Sequence, residues 1–494
     1  MIYDDALRAA RENIFMLRRT KIVATVGPAT DDLGVLTGMM REGVDVIRLN
    51  ASHGTVEDRR RRLALVREAA RVADRCVGIL LDLSGPKIRI ECFRDGKVML
   101  KEGQPFALDT SLDPKAGTIE VVGVAYKNLP NDVTAGDVLL LNDGQIVLDV
   151  ERVDGTRIDT RVRAGGELSD RKGLNRQGGG ISAPALSDRD REDIKFGAQE
   201  EVDYIAVSFA RDAADIEQAR TLVREAGGDA RIVAKIERHE AITNLQGIID
   251  ASDVVMVARG DLGVEMGYAE LTGLQKTIIH QSRTRNRVVI TATQMMESMI
   301  QNPAPTRAEV SDVANAVMDG SDAVMLSAET AAGRYPVKVV AAMSEVIEGA
   351  EKYQLTHART RHRVEGQFKG TEEAIAMAVM YTANHMKVKA IVALTETGAT
   401  PLWMSRIRSD IPVYAFTRHE ATRRRVTLYR GVYPVIFDVT QNDSTEALYR
   451  AIFTRLLELQ LVKSNDLVIL TKGELSGATG GTNSMQILKV ALAT

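Results

Sequence analysis

The sequence predicts an α/β protein: a closed (β/α)8 barrel of the TIM-barrel type, with an inserted all-β domain and a C-terminal α/β domain. Three observations support this fold class. Short β-branched runs alternate with amphipathic helical stretches at a regular spacing. A segment of different character, between about 83 and 202, interrupts the alternation once. A second set of alternating segments begins after about residue 353.

Eight apolar runs are the candidate barrel strands. They cover 21–27, 44–50, 77–83, 202–209, 230–237, 253–260, 287–294 and 323–329. Amphipathic segments lie between most of them, at 56–73, 212–226, 270–285 and 306–319. Thr55 followed by Glu57 and Asp58 is typical of a helix start, because acids favour the first turn. Strands that alternate with helices form parallel βαβ units, and eight of them favour a closed barrel over an open doubly wound sheet.

The interrupting segment predicts a separate domain. It is rich in Gly, Asp and Val and carries turn signals at 95–96, 142–144 and 154–155. After it, further apolar runs predict C-terminal strands at 389–394, 412–417, 432–437 and 466–471. The predicted domain limits are 87–181 for the inserted all-β domain, 354–494 for the C-terminal domain, and 1–86 with 182–353 for the barrel.

Composition argues against several classes of protein. The net charge is −3, from 64 basic and 67 acidic residues, so nothing indicates a nucleic-acid partner. Cys76 and Cys92 leave no disulfide framework, which suits a reducing cytoplasm. Residues 1–20 lack the apolar core of a signal peptide, and no apolar run reaches membrane-spanning length. We therefore expect a cytoplasmic protein with no membrane partner. The basic cluster 423–425 predicts a solvated helix face or an ion-pair network.

Polar and charged residues occupy the carboxyl ends of the predicted strands, where barrel enzymes carry their active sites. The run 230–237 places Lys235 and Glu237 two positions apart, and therefore on one side of a strand. By itself this pattern fits either an internal ion pair or a site that holds a metal and an anion. The strand ends together supply Arg48, Asn50, Asp82, Lys235, Glu237, Asp261, Thr293 and Glu329. Their convergence on one rim favours the site.

The residue types at this rim indicate phosphate and metal chemistry. Glu237 and Asp261 suit a hard divalent cation such as Mg²⁺, which keeps several waters and binds phosphate oxygens. Cationic partners for phosphate are Arg48, Arg89, Lys172 and Lys235. The sequence contains neither a GxxxxGK[ST] loop nor the glycine loop of protein kinases.

Long, ordered blocks of the sequence match one known family. They are TKIVATVGPAT (20–30), VIRLNASHG (46–54), LDLSGPKIR (81–89), RKGLN (171–175), IVAKIER (232–238), MVARGDLGVE (256–265), ITATQMMESM (290–299), PTRAEVSDVANAV (305–317) and MLSAET (325–330). The chain resembles pyruvate kinase along essentially its whole length. The resemblance implies transfer of the phosphoryl group of phosphoenolpyruvate to ADP, which gives pyruvate and ATP in the last step of glycolysis. It also implies allosteric regulation and a homotetramer.

The resemblance implies a role for each matching residue. Lys235 is expected to stabilise charge on the transferring phosphoryl group and the enolate, Arg48 to hold the substrate phosphate, and Thr293 to join the proton relay. Glu237 and Asp261 are the expected Mg²⁺ ligands, with Mn²⁺ able to substitute. Substrate binding is implied for Arg48, Lys235, Gly260, Asp261 and Thr293. Nucleotide binding is implied for Asn50, Ser52, His53, Arg89 and Lys172.

Two of the nucleotide-binding residues lie at the junctions of the inserted domain. Arg89 follows its first boundary and Lys172 precedes its second. Closure of this domain would therefore complete the site and expel water from it.

One position departs from the better-known pattern of the family. Many members have Glu where this chain has Lys87, and Thr or a similar residue at Leu83; those members need K⁺ near Asn50, Ser52, Asp82 and Leu83. The ammonium of Lys87 can supply the same charge without an ion. We predict a potassium-independent enzyme, against the alternative that Lys87 points to solvent and K⁺ still binds.

A turn in the C-terminal domain is the candidate effector site. In related proteins the loop that matches 395–400 binds a sugar phosphate or a nucleotide monophosphate. The predicted contacts are Thr395, Thr397, Gly398 and Thr400, through hydroxyls and backbone N–H groups. Glu396 adds a negative charge, which disfavours a bisphosphate, so we expect a sugar monophosphate or AMP.

Two other functions remain open at this point. A different barrel enzyme that forms a metal-bound enolate would share Glu237 and Asp261, but it would not need Arg89 or Lys172. A non-catalytic regulator that handles phosphoenolpyruvate would be expected to have lost Lys235, Thr293 or a metal ligand, and all are present.

Overall fold

The structure is a computed structural model that describes residues 17–357, 368, 370–442, 444–473 and 481–491. At its centre is a closed barrel of eight parallel strands: Lys21–Thr25, Val46–Asn50, Gly78–Asp82, Tyr204–Val207, Arg231–Ile236, Val254–Ala258, Val288–Ala292 and Ala323–Leu326. The first strand pairs with the last, Lys21 opposite Ala323, and so closes the sheet. The predicted barrel is confirmed, and each strand lies within its predicted run.

Helices surround the barrel and bury its outer face. They are Leu33–Arg41, Val56–Val72, Asp188–Gln199, Ala213–Glu225, His239–Thr243, Leu245–Ala251, Arg259–Met266, Tyr268–Thr284, Arg307–Asp319, Ala328–Ala331 and Pro336–His357, with 3₁₀ turns at Pro28–Thr30 and Glu297–Ile300. The predicted helix start at Thr55 is confirmed. Its hydroxyl accepts from the N–H of Asp58, and the Asp58 carboxylate accepts from the N–H of Thr55. This reciprocal capping satisfies two N–H groups that the helix itself leaves unpaired.

The inserted domain contains a six-stranded sheet and a two-stranded sheet. Its strands are Lys97–Leu100, Pro105–Asp109, Val121–Gly123, Val138–Leu141, Ile146–Asp154, Arg157–Ala164, Gly166–Ser169 and Leu174–Arg176, with one short helix at Leu129–Asp132. The turn predicted at 142–144 is present, and all three of its residues adopt positive φ. A separate apolar core that includes Phe106, Leu108 and Leu148 supports this domain. The exact limits predicted for the three domains stay predictions.

The C-terminal domain is a five-stranded sheet with helices. Its strands are Ala390–Leu394, Val413–Thr417, Val432–Ile436, Leu467–Gly473 and Thr482–Lys489. Its helices are Thr371–His385, Ala399–Ser405, Glu420–Arg425 and Thr445–Glu458, with 3₁₀ turns at Val426–Leu428 and Val439–Gln441. The last strand pairs antiparallel at the edge of the sheet and was not predicted. Its polar residues and the exposed Ile487 leave no apolar run, as is typical of a half-exposed edge strand.

The C-terminal domain packs against the amino end of the barrel. Apolar residues of the barrel interior, such as Val23 and Leu80, form one buried cluster with Leu428 and Val432. The Nζ of Lys21 donates to the carbonyl oxygen of Val432 at 2.7 Å. The carboxyl ends of the strands therefore lie at the opposite end of the barrel, free of the C-terminal domain.

The basic cluster 423–425 contributes to this docking. Arg424 pairs with Asp203 at 3.0 Å, and Arg425 pairs with Asp229 at 2.8 Å. The predicted ion-pair network is thus confirmed, and the solvated helix face is not observed because Arg425 is buried. In the described ranges, no helix has the length and apolar character needed to cross a membrane.

Candidate active site

A cluster of charged side chains lies at the carboxyl ends of the barrel strands. Lys235 Nζ lies 2.8 Å from Glu237 Oε1 and 3.3 Å from Asp82 Oδ1. Arg48 Nε lies 2.7 Å from the second oxygen of Asp82. Asp82, Glu237 and Arg48 are buried, and the Lys235 side chain is 12% exposed. The internal ion pair of Lys235 and Glu237 is therefore observed, and it belongs to a larger charged cluster at the rim. The site for a metal and an anion stays a prediction.

The cluster sets the protonation of its members. Burial by itself would lower the pKa of Lys235, but the carboxylates of Asp82 and Glu237 outweigh it and raise the pKa of the ammonium well above its ordinary value. Burial raises the pKa of Asp82, yet Lys235 and Arg48 together bring it below its ordinary value. Asp82 is thus an anion that holds two cations in place, and Lys235 stays protonated at neutral pH.

Ser208 joins the cluster and was missed by the sequence analysis. Lys235 Nζ donates to Ser208 Oγ at 2.7 Å, and that hydroxyl donates to the carbonyl oxygen of Leu83 at 2.8 Å. Ser208 directly follows the fourth strand, Tyr204–Val207. The rule applied to the other strand ends would have found it. The contact gives the ammonium a third fixed partner besides Asp82 and Glu237.

Glu237 and Asp261 lie close enough at the barrel mouth for their charges to interact. Glu237 follows its strand directly, whereas Asp261 lies in the first turn of the helix Arg259–Met266 rather than at a strand end. Burial raises the pKa of Glu237, and the nearby charge of Asp261 raises it further, against the opposing effect of Lys235. Two carboxylates held close together suit a cation between them. In the described part of the chain, no cluster of three or more metal-ligating side chains occurs, and Mg²⁺ needs no more than two when waters and phosphate supply the rest.

Lys87 points into the same mouth. Its Nζ lies 3.5 Å from Asp261 Oδ1 and 3.9 Å from Asp143 Oδ1 of the inserted domain. Among the described residues, Lys87 forms ion pairs with Asp261 and Asp143 and forms none with Asp82. Asp82 instead pairs with Arg48 and Lys235. The structure thus brings Lys87 to a predicted Mg²⁺ ligand and not to the residues predicted to surround K⁺.

Those residues make local contacts. The side-chain oxygen of Asn50 accepts from the N–H of Ser52 at 3.1 Å, and the carbonyl oxygen of Leu83 accepts from Ser208. Asn50 lies opposite Asp82 in the pairing of the second and third strands. Asn50, Ser52, Asp82 and Leu83 therefore lie on adjacent strand ends, beside the main cluster.

Thr293 lies on a strained turn beside Gly260. Its φ is +70°, a conformation that β-branched residues avoid, and Gln294 follows with φ +52°. The N–H of Gly260 donates to Thr293 Oγ1 at 2.8 Å, and that hydroxyl donates to the carbonyl oxygen of Ala292 at 2.6 Å. Two segments of the predicted substrate site, 260–261 and 293, are thus in direct contact.

Arg259 holds this turn in place and was also missed. The side chain is buried. Its guanidinium donates to the carbonyl oxygens of Ala292 at 3.2 Å and Thr293 at 2.7 Å, and it pairs with Asp312 at 2.7 Å. A strained backbone persists only where its surroundings hold it, and Arg259 supplies that constraint. The apolar run before it, 253–258, carries no signal for this role.

The predicted nucleotide-binding residues surround a positively charged region. Burial lowers the pKa of His53, and the charges of Arg89, Arg48 and Arg189 lower it further. Arg89 Nη1 donates to the carbonyl oxygen of Arg171, and a backbone bridge joins Arg89 to Gly173. Lys172 therefore lies beside Arg89, where the two connections to the inserted domain meet.

Glu329 does not join the site. Its carboxylate accepts from the N–H groups of Met296 at 3.2 Å and Ser327 at 2.6 Å. Both partners are backbone groups, so the carboxylate has a structural role. Glu329, one of the candidates at the strand ends, therefore has the structural role that any of them could have had, because a buried acid at a strand end can cap neighbouring backbone.

Comparison with known proteins agrees with this geometry. Residues 17–340 match the family model of the pyruvate kinase barrel domain, and 373–488 match that of the pyruvate kinase alpha/beta domain. The chain is 53% identical over 478 residues to pyruvate kinase II of Salmonella typhimurium, covering 96% of this chain and 99% of that protein. It is 52% identical to the pyruvate kinase of Haemophilus influenzae over 467 residues, with 94% and 97% covered.

A solved structure is similar over the same extent. The crystal structure of a pyruvate kinase from Cryptosporidium parvum matches with a TM-score of 0.89 and 34% identity, and 96% of each chain is covered. The chain belongs to the pyruvate kinase family. Pyruvate kinases are glycolytic phosphotransferases, which transfer the phosphoryl group of phosphoenolpyruvate to ADP. The family generally uses Mg²⁺ and K⁺, and the two neighbouring carboxylates fit the divalent ion.

In this pyruvate kinase fold, Glu265 links the barrel to the inserted domain. Its carboxylate accepts from Asn175 Nδ2 at 3.2 Å and from the N–H of His239 at 2.9 Å. Asn175 belongs to the last strand of the inserted domain. Burial raises the pKa of Glu265 to about 7. An acid of this kind changes charge near neutral pH at the junction of two domains.

The predicted effector loop makes several internal contacts. Thr395 Oγ1 accepts from the N–H of Gly398 at 2.9 Å. The buried Thr400 hydroxyl lies 2.6 Å from Thr482 Oγ1. Glu396 pairs with Arg418 at 3.2 Å and with His419. Its negative charge is therefore compensated, which weakens the electrostatic reason for excluding a bisphosphate.

Proposed function

We propose that this chain performs phosphoryl transfer at the barrel mouth with Lys235 and Arg48 as the main cationic groups. The observation that carries the proposal is the placement of Lys235, whose ammonium lies between Asp82 and Glu237 at 3.3 and 2.8 Å. Three acceptors, including Ser208, hold it without burying it completely. A fixed cation aimed at the site of charge development stabilises the transition state more than a mobile one does.

The bonding changes define what the residues must do. The bond between phosphorus and the enol oxygen of phosphoenolpyruvate breaks, and a terminal oxygen of ADP forms the new bond to phosphorus. Lys235 would stabilise the negative charge on the phosphoryl group and on the enolate. Arg48, oriented by Asp82, would hold the phosphate of the substrate. The enolate carbon then takes a proton, which gives pyruvate.

Glu237 and Asp261 would hold Mg²⁺, or Mn²⁺ in its place. When bound, the divalent cation would supply Lewis-acid charge to the substrate and phosphate oxygens. The raised pKa of Glu237 supports this assignment, because a cation between the two carboxylates relieves their repulsion. Asp261, in the first turn of its helix, would bind the substrate carboxylate through its backbone N–H. Gly260 would line the same position, with its own N–H donated to Thr293. Thr293, which contacts Gly260, would take part in the proton relay.

The nucleotide would bind on the side of the inserted domain. Asn50, Ser52, His53, Arg89 and Lys172 are the proposed contacts. The positive charges around His53 support phosphate binding there. Arg89 and Lys172 lie at the junctions of the inserted domain, over its proposed limits 87–181. Its closure over the barrel would bring them to the phosphates and exclude water.

We propose that Lys87 removes the need for K⁺. Its ammonium places a fixed positive charge in the mouth, 3.5 Å from Asp261. Phosphoenolpyruvate turnover should therefore be the same in buffers that contain only tetramethylammonium and in buffers with added K⁺. A requirement for K⁺ would show that the ion still binds near Asn50, Ser52, Asp82 and Leu83.

We propose that the regulation and the assembly of this protein are those that the family resemblance implies. Thr395, Thr397, Gly398 and Thr400 would bind a sugar monophosphate or AMP, in a cytoplasmic homotetramer. Saturation curves for phosphoenolpyruvate, measured with and without each candidate effector, test the loop. Curves that coincide for every candidate would remove the site from the proposal.

A direct test of the mechanism uses Lys235→Met. The side chain keeps most of its length but loses its charge, so Mg²⁺ binding should persist while phosphoryl transfer is largely abolished. A coupled assay with phosphoenolpyruvate and ADP measures transfer, and Mn²⁺ binding followed by electron paramagnetic resonance measures the metal. Full activity of the variant would overturn the role given to Lys235. Lys97→Met, at an exposed ion pair in the inserted domain, is the matched control and should keep normal activity.

A further inference from the structure

A cavity of about 240 Å³ lies between the barrel and the C-terminal domain. It is at the amino end of the barrel, because Asp322 in its wall directly precedes the eighth strand, Ala323–Leu326. The charged residues that line it are Arg19, Arg283, Asp322, Arg408, Asp410 and Arg430. The cavity is thus separate from both the barrel mouth and the loop 395–400.

Two of the four arginines have carboxylate partners. Arg19 and Arg430 share Glu351, at 3.5 and 3.7 Å. Asp322 is an acid of the wall, but it pairs with Arg406 outside the lining. One carboxylate therefore serves both Arg19 and Arg430, and Asp322 is already occupied. Asp410, the other acid of the wall, forms no ion pair with Arg283 or Arg408 among the described residues.

The remaining two arginines lack such partners. Among the residues that the structure describes, the Arg283 side chain makes no hydrogen bond or ion pair, and the Arg408 side chain makes one hydrogen bond, to the carbonyl oxygen of Met318 at 3.2 Å. Gly320 allows this arrangement, because a Cβ there would collide with the guanidinium of Arg283. Guanidinium groups normally find anionic partners when they are partly buried.

The electrostatics of the pair are unfavourable in the absence of an anion. Burial lowers the pKa of Arg283 to about 10, and the charge of Arg408 adds to this effect, while the charge of Asp322 opposes it without cancelling it. Burial also lowers the pKa of Arg408, with a contribution from Arg19. An anion among these groups would reverse the penalty, since opposite charge favours the protonated form.

We propose that this cavity is a binding site for a phosphate group, carried by inorganic phosphate or by a small phosphate monoester. Arg283 and Arg408 supply two guanidinium groups that have no ion-pair partner among the described residues, and their two positive charges match a phosphate dianion. Guanidinium forks also match its oxygens in geometry. The volume lies below the roughly 300–1,000 Å³ of sites for drug-sized ligands, so the ligand is small. Because its wall contains residues of two domains, a bound phosphate would link the barrel to the C-terminal domain.

The first test measures the stabilisation of the whole protein by phosphate. The rise in Tm with inorganic phosphate, and separately with glycerol 2-phosphate, is compared with potassium chloride at equal ionic strength. A ligand that binds the folded state raises Tm in a saturable way. The variant Arg283→Gln/Arg408→Gln should need about tenfold more phosphate, or higher, for the same effect, because hydrogen bonds to charged groups are removed. Arg285→Gln, next to the cavity but paired with Asp250 outside it, should respond as the unaltered protein does.

The outcomes separate the alternatives. Loss of the response in the double variant alone supports the site, and the probe that saturates at lower concentration identifies the source of the phosphate. Equal responses in the double variant and in Arg285→Gln would overturn the proposal, since the phosphate would then act only at other sites such as the barrel mouth.

A second measurement uses the unaltered protein and does not depend on the folding of a variant. Phenylglyoxal modifies accessible arginines, and peptide mass mapping locates each modified residue. Phosphate should slow the modification of Arg283 and Arg408 severalfold, with no effect on Arg285. Unchanged rates at Arg283 and Arg408 under saturating phosphate would refute the site.

Discussion

Arg259 donates to the carbonyl oxygen of Thr293 at 2.7 Å and holds that residue at a φ of +70°. The same guanidinium also reaches the carbonyl oxygen of Ala292 and the carboxylate of Asp312. One buried side chain thus determines the shape of the turn on which a proposed catalytic hydroxyl lies. Arg259 is a positioning residue in this arrangement, because it reaches the site only through Thr293.

Arg259→Lys should therefore lower kcat without unfolding the protein. Lysine keeps the charge that pairs with Asp312, but it cannot contact two carbonyl oxygens and a carboxylate at once. We expect kcat to fall about tenfold or more, with a smaller change in the KM for phosphoenolpyruvate and in Tm. Steady-state kinetics and thermal unfolding measure these quantities. Arg285→Lys, at a surface ion pair, is the control. If Tm of Arg259→Lys falls in proportion to kcat, Arg259 has only a structural role.

Ser208→Ala should weaken catalysis through Lys235. The substitution removes the acceptor that lies 2.7 Å from Lys235 Nζ and leaves Asp82 and Glu237 in place. We expect a fall in kcat of about 10-fold to 150-fold, the range for one lost hydrogen bond to a charged group. Coupled assays at saturating substrate measure it. Ser282→Ala is the control, since its buried hydroxyl has no partner within the described ranges; equal kcat in both variants would argue against a role for Ser208.

Glu265 should make the stability of the protein depend on pH. Its folded pKa of about 7 lies above the ordinary value of 4.5, so the folded state binds the proton more tightly. The resulting stability is fully present below pH 4.5 and is lost as the pH rises through about 7. The loss amounts to about 3 kcal/mol for a shift of this size.

Glu265→Gln removes this titration and keeps an oxygen for Asn175 and His239. The Tm of the variant relative to the unaltered protein should therefore rise between pH 5 and pH 8. Glu217→Gln, at an exposed position, should show a constant difference. A constant difference for Glu265→Gln as well would show that the carboxylate titrates normally.

Lys87→Glu should create a requirement for K⁺. The change replaces the ammonium near Asp261 with a carboxylate and restores the residue that potassium-dependent relatives carry at this position. Activity in potassium-free buffer should fall about tenfold or more, because the mouth loses a fixed positive charge, and added K⁺ should restore much of it. Lys97→Glu in the inserted domain serves as the charge-matched control. If the activity of Lys87→Glu stays low at every K⁺ concentration, the ammonium of Lys87 does not take the place of K⁺.

Much of the fold could be predicted because the period of the hydrophobic pattern is a local property. All eight barrel strands and four of the five C-terminal strands carry apolar runs, and each was found. The edge strand Thr482–Lys489 was missed because its sequence begins with three polar residues and contains neither a continuous apolar run nor a regular alternation. Asp261 was predicted at a strand end but lies in the first turn of the helix Arg259–Met266. An acid near a strand end is equally suited to a first helical turn.

The sequence by itself determined the fold class, the family, and the charged residues that gather at the barrel mouth, because strand ends and ordered blocks can be read along the chain. Only the tertiary structure decided which charges pair. It showed that Asp82 holds both Arg48 and Lys235, that Lys87 lies beside Asp261, that Arg259 constrains Thr293, and that Arg283 and Arg408 lie without carboxylate partners between two domains. These relationships depend on distances between segments far apart in sequence, and no local pattern records such distances.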